Sequence, residues 1–98
     1  MYTGTLALDV LLGDVRSLKQ KRSVVRPIVA ELQRKYAVAA AEAGHLELHR
    51  RALIGVAVVA AEAGQCRSVL DACERLVAAH PEVDLLSARR QLVGLDDE

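Results

Sequence analysis

The densest chemistry in this chain is cationic. Arg16, Lys19, Lys21, Arg22 and Arg26 put five basic residues into an eleven-residue stretch that holds no acid. Lys19, Arg22 and Arg26 are spaced i, i+3 and i+7, which on a helix aligns them in one stripe. Long cationic side chains in a stripe suit a phosphate backbone, because arginine binds phosphate oxygens bidentately and the stems can follow the strand. A helix that starts at this cluster adds the partial positive charge of its N-terminus. The expected chemistry is therefore phosphate contact through these five residues.

Other chemistries are less well supplied. His45, Glu47 and His49 stand close together, and one helical turn would put the two histidines on a shared face. A metal site needs a third or fourth ligand, and no further residue stands out as one, so no metal and no cofactor are expected. Ser17, Ser23, Ser68 and Ser87 lack any motif that sets a base beside them. Gly4, Gly13, Gly44, Gly55, Gly64 and Gly94 are scattered and form no phosphate-cradling loop. No catalytic residue is expected. Cys66 and Cys73 are seven apart in a helical segment, roughly 10 Å between Cα atoms and beyond disulfide reach. They read as small buried hydrophobes in a reducing compartment.

These groups must be positioned by regular elements. Residues 3–12 alternate, with Gly4, Leu6, Leu8, Val10 and Leu12 on one face, as a half-buried strand does. Ser17 and Gln20 have the spacing of a capping box, so a helix starts there. Its apolar side carries Leu18, Val25, Ile28, Val29, Leu32 and Tyr36. Pro27 interrupts it, and a single kinked helix is the favoured arrangement over two separate pieces. Strands are predicted over 37–43, 51–61 and 83–93, and a second helix over 66–80 with an Asp71–Arg75 pair on its outside. The order β-α-β-β-α-β is the split βαβ, ferredoxin-like pattern of the α+β class. Right-handed crossovers give a four-stranded antiparallel sheet in order 4-1-3-2, with both helices on one face. One domain spans residues 1–93, followed by an acidic tail expected to fray over 94–98.

That architecture leaves the other sheet face open, carrying Thr5, Ala7, Asp9, Ala39, Ala41, Leu53, Gly55 and Ala57. Aromatics make up 2% of the chain, Tyr2 and Tyr36, and neither lies on this face. Base stacking of the kind that aromatic-bearing sheets perform is therefore not expected. A small, flat, apolar face marks a protein contact instead, so self-association is expected through Ala7, Leu53, Gly55 and Ala57. The longest uncharged apolar run, residues 52–61, is half of what a membrane helix needs. With no basic-then-apolar leader at the start, a cytoplasmic protein without a membrane partner is expected. Net charge is zero but unevenly spread. Residues 1–35 carry +4 (seven basic against three acidic), and residues 36–98 carry −4 (six against ten).

Three segments carry a resemblance: Gly13–Arg22 (GDVRSLKQKR), Arg51–Val59 (RALIGVAVV) and Pro81–Leu86 (PEVDLL). In this order, over roughly residues 2–92, the chain resembles the YlxP-like family of small bacterial proteins. It departs from the family pattern at Pro27 and at Ala43–Leu46, which is usually more polar. The resemblance implies a ferredoxin-like fold and gene neighbourhoods near translation-initiation and ribosome-maturation factors, hence RNA or a ribosomal particle as partner. It implies no enzymatic activity. The expectation is a non-enzymatic RNA- or ribosome-associated domain acting through its basic helix entrance. The alternative is a homo-oligomeric or small-ligand regulatory module of the same topology.

Overall fold

A computed structural model describes residues 1–95. Six elements follow one another as β1 (Tyr2–Leu12), α1 (Leu18–Tyr36), β2 (Ala39–Gly44), β3 (Arg51–Ala60), α2 (Ala63–Ala78) and β4 (Val83–Gly94). The sheet order is β2-β3-β1-β4 with antiparallel pairing throughout. This is the ferredoxin-like α+β arrangement that the element order predicts.

The core lies between the helices and one sheet face. Alternation along β1 and β3 buries Leu6, Leu8, Val10 and Leu12 with Ala52, Ile54, Val56 and Val58. Against them pack Val25, Ile28 and Leu32 of α1 and Cys66, Leu70, Cys73 and Val77 of α2. Among the described residues no buried core residue is aromatic, so cohesion rests on close aliphatic packing, where each lost methylene is felt. Both cysteines are buried and free, and burial pushes the Cys73 thiol above its ordinary pKa. Close packing also explains Gly4, where an added Cβ would lie 2.9 Å from Leu70 Cδ1.

Helix α1 is continuous through Pro27. Ser17 caps it: its Oγ accepts the Gln20 amide at 3.1 Å, and Gln20 Oε1 accepts the Arg16 amide at 2.7 Å. The reach-back lands one residue before the cap rather than on it. The helix ends at Ala37, which adopts the left-handed conformation (φ 50°, ψ 47°). That reversal uses up two residues, so β2 starts at Ala39 rather than 37. Helix α2 starts three residues earlier than the sequence predicts, because Gly64 takes part in its first turn instead of a reverse turn. The predicted Asp71–Arg75 pair gives way to a tertiary one. Arg90 of β4 projects to the helix side and places Nη2 2.7 Å from Asp71 Oδ1 and 3.1 Å from Glu74 Oε1. Strand β4 runs through Gly94, and the Leu95 amide donates to the Met1 carbonyl at 2.9 Å. Asp96, Asp97 and Glu98 of the predicted tail lie outside the described residues.

Candidate functional site

The five basic residues at the start of α1 do not share one environment. Lys19, Arg22 and Arg26 are exposed on one flank of the helix. None of the three lies within ion-pair distance of a carboxylate among the described residues. Arg22 and Arg26 border a groove of about 300 Å³ between α1 and the edge strand β2, with Val29 and Gln33 further along it. Gln33 spans to β2 by donating to the Ala40 carbonyl at 3.0 Å. Arg16 precedes the helix and is fully in solvent, with Nε 3.2 Å from Asp14 Oδ1. That pair is exposed on both sides, so it is worth little and yields readily to a phosphate.

Lys21 is a correction to the sequence reading. It is 1% exposed, and its ammonium points inward. Nζ lies 2.7 Å from Glu42 Oε2 and donates to the His45 carbonyl at 2.7 Å. The Glu42 contact is Coulombic rather than an aligned hydrogen bond, since Oε2 has no donor in hydrogen-bonding geometry among the described residues. The physical reason is register. Lys21 stands four residues before Val25, seven before Ile28 and eleven before Leu32, all buried. It occupies the inward stripe of α1, and its stem fills space there while its head finds an acid on β2. Lys21 is therefore an internal tie between α1, β2 and the loop after it, not a phosphate ligand.

That loop is held from the other side too. His45 adopts positive φ (57°) and closes β2. Its Nε2 lies 3.4 Å from Asp9 Oδ2 on the open face of β1. Arg51 grips the same carboxylate with two bonds, Nε to Oδ1 at 3.1 Å and Nη2 to Oδ2 at 2.6 Å. The Arg51 guanidinium, with His45 contributing, holds the Asp9 carboxyl below the usual carboxylate range despite its partial burial. The Asp9–Arg51–His45 cluster was not legible in the sequence. Only the alternation of β1, which puts Asp9 on the open face, hinted at it. No group of three or more metal-ligating side chains forms among the described residues, so His45, Glu47 and His49 do not converge.

The open face is as the alternation predicts. Strand register aligns Ala41, Gly55, Ala7 and Arg89 in one row, and Ala39, Ala57, Thr5 and Gln91 in the next. These rows floor an open trough of about 590 Å³. Leu53 lies beyond one end, opposite Asp9, and Val59 and Val93 flank Thr3 beyond the other. No helix among the described residues is long and apolar enough to cross a membrane.

Comparison with known proteins gives a family. A family model described as "Protein of unknown function (DUF503)" matches residues 3–90. The uncharacterized protein YlxP of Bacillus subtilis (strain 168) is 26% identical over 88 residues, covering 90% of this chain and 96% of that protein. The resemblance carried by the Gly13–Arg22, Arg51–Val59 and Pro81–Leu86 segments thus extends across nearly all of the described fold, and the chain belongs to the DUF503 family.

Proposed function

We propose that this protein is a non-enzymatic RNA-binding domain that grips phosphates through the exposed flank of α1. Lys19, Arg22 and Arg26 are the principal ligands, and Arg16 assists at the helix entrance. One observation carries the reading: three cations at i, i+3 and i+7 stand in solvent without a carboxylate partner among the described residues, in a protein whose net charge is zero. Exposed cations that serve only solubility are usually interspersed with acids. Here acids are absent from the segment while the rest of the chain holds the excess. Ribosomal particles are the partner class that the family's genomic setting suggests.

The internal position of Lys21 narrows the footprint to about three phosphates. Each phosphate neutralised on a single strand contributes about 0.7 to the slope of log affinity against log salt, so the expected slope is about −2. Sequence tolerance is expected as well, since the described surface offers no aromatic platform to read bases. The test is co-sedimentation with ribosomal subunits and single-stranded RNA across a salt series, comparing the wild type with Lys19→Glu/Arg22→Glu/Arg26→Glu. The triple reversal should abolish binding and leave the melting temperature nearly unchanged, because exposed charges add little to stability. Wild-type affinity with an unchanged slope in that variant would show that the flank is only solvated.

A further inference from the structure

The basic flank uses one side of the molecule and leaves the opposite side, the open sheet face, without a partner. Its composition is not that of a solvated surface. The trough rows are Ala41, Gly55 and Ala7, then Ala39, Ala57 and Thr5. At the end of the face Val59 is 64% and Val93 51% exposed. Among the described residues the full charges on this face are the Asp9–Arg51 pair, which neutralises itself, Asp84 at the far end opposite Leu11, and Arg89. Arg89 lies in the central row, opposite Ala7, and has no carboxylate partner among the described residues.

We infer that a second copy of this chain covers the open face, with the two sheets stacked face to face about a two-fold axis that runs parallel to the strands. Two arguments fix the occupant and its orientation. The first is area. Three strands of 10–12 residues and the six-residue β2, at ~3.3 Å per residue and ~4.8 Å apart, give a face of about 500 Å² per copy. Two copies bury about 1,000 Å², which reaches the threshold for a specific interface. Small side chains in the two central rows let the flat surfaces approach closely.

The second argument is electrostatic. A face-to-face pair can have its in-plane axis across the strands or along them. An axis across the strands stacks β4 on β4 and sets the two Arg89 side chains against each other in a desolvated seam, which like charges oppose. An axis along the strands stacks β4 of one copy on β2 of the other. Each Arg89 then lays its aliphatic stem over the partner's alanine strand, Ala39–Ala43, and keeps its guanidinium at the wet rim. Only the second arrangement keeps the two Arg89 side chains apart, while the Asp9–Arg51 pair is self-neutralised in either.

Sedimentation equilibrium over a concentration series tests the association. The wild type should be dimeric at tens of micromolar, and Ala57→Glu, which puts a charge into the seam, should weaken the dimer at least ~100-fold while keeping the far-UV spectrum and melting cooperativity. Leu53→Glu, away from the trough centre, is the second variant should Ala57→Glu fail to fold. A wild type that stays monomeric at high micromolar concentration overturns the proposal, as does a folded charged variant that remains dimeric. Orientation is read with a short bismaleimide, to which the two buried native cysteines are inaccessible. A mixture of Ala41→Cys and Arg89→Cys proteins should cross-link, and Arg89→Cys alone should not. Efficient cross-linking of Arg89→Cys alone would overturn the strand-parallel axis.

Discussion

Lys21 shows how a single residue can belong to a motif by type and to the core by position. By type it completes a run of five cations. By position it shares the helix face of Val25, Ile28 and Leu32. Position wins because the α1 stem must cover the sheet at that point, and because β2 supplies Glu42 and the His45 carbonyl to receive the ammonium. The consequence is measurable. Lys21→Ala removes one half of a largely buried ion pair and strands the Glu42 carboxylate, a loss of about 3 kcal/mol. Lys21→Met/Glu42→Leu removes both charges and keeps the volume, so it should recover most of that loss. Urea denaturation of the two variants decides the matter. A Lys21→Ala protein within 0.5 kcal/mol of wild type, about what an exposed site gives, would return Lys21 to the surface. The signal for this assignment was present in the sequence as an i, i+4, i+7, i+11 register. It was outweighed by the general rule that lysine is almost never fully buried unless paired, and the pairing partner sits 21 residues away.

At the scale of elements, what local pattern dictates was legible and what tertiary reversal dictates was not. The alternation of β1 and β3 predicts the central strands and both faces of the sheet, and Ser17 with Gln20 predicts where α1 starts. The ends of elements escaped. No turn residue announces the left-handed Ala37, since glycine is the usual occupant of that conformation. Ala-Gly at 63–64 reads as a turn, yet neither residue has positive φ and both are helical. The Asp9–Arg51–His45 cluster and the Arg90 tie to α2 join residues from different strands and helices, so their partners could not be paired before the topology was known. Ala37 offers a direct test of the reversal. An alanine held at φ 50° costs about 1–2 kcal/mol, and glycine there would give back part of this through its larger unfolded-state entropy. Ala37→Gly should therefore stabilise the protein by roughly 0.5–1 kcal/mol and raise its melting temperature by about 2–8 °C. A lower melting temperature would mean that Ala37 is not held in the left-handed conformation in solution.

At the scale of the whole molecule, the two proposed contacts fall on opposite sides of one sheet. The basic flank belongs to the helix layer, and the trough belongs to the open face. In a face-to-face pair the layers run helix, sheet, sheet, helix, each about 10 Å from the next. The two basic flanks then look outward from opposite surfaces, about 30 Å apart through the protein. A single-stranded segment that occupies one flank with about three phosphates is too short to wrap to the other. Phosphate binding and self-association should therefore be energetically independent. Ala57→Glu, monomeric by design, should bind a short single-stranded RNA with wild-type affinity per protomer and the same salt slope of about −2. The reciprocal holds for Lys19→Glu/Arg22→Glu/Arg26→Glu, which should dimerise as the wild type does while releasing RNA. If the slope instead falls from about −4 to about −2 when the dimer is broken, both flanks engage one RNA. The sheets would then not be stacked with their helices outward, and the open face would have to meet its second copy in another geometry.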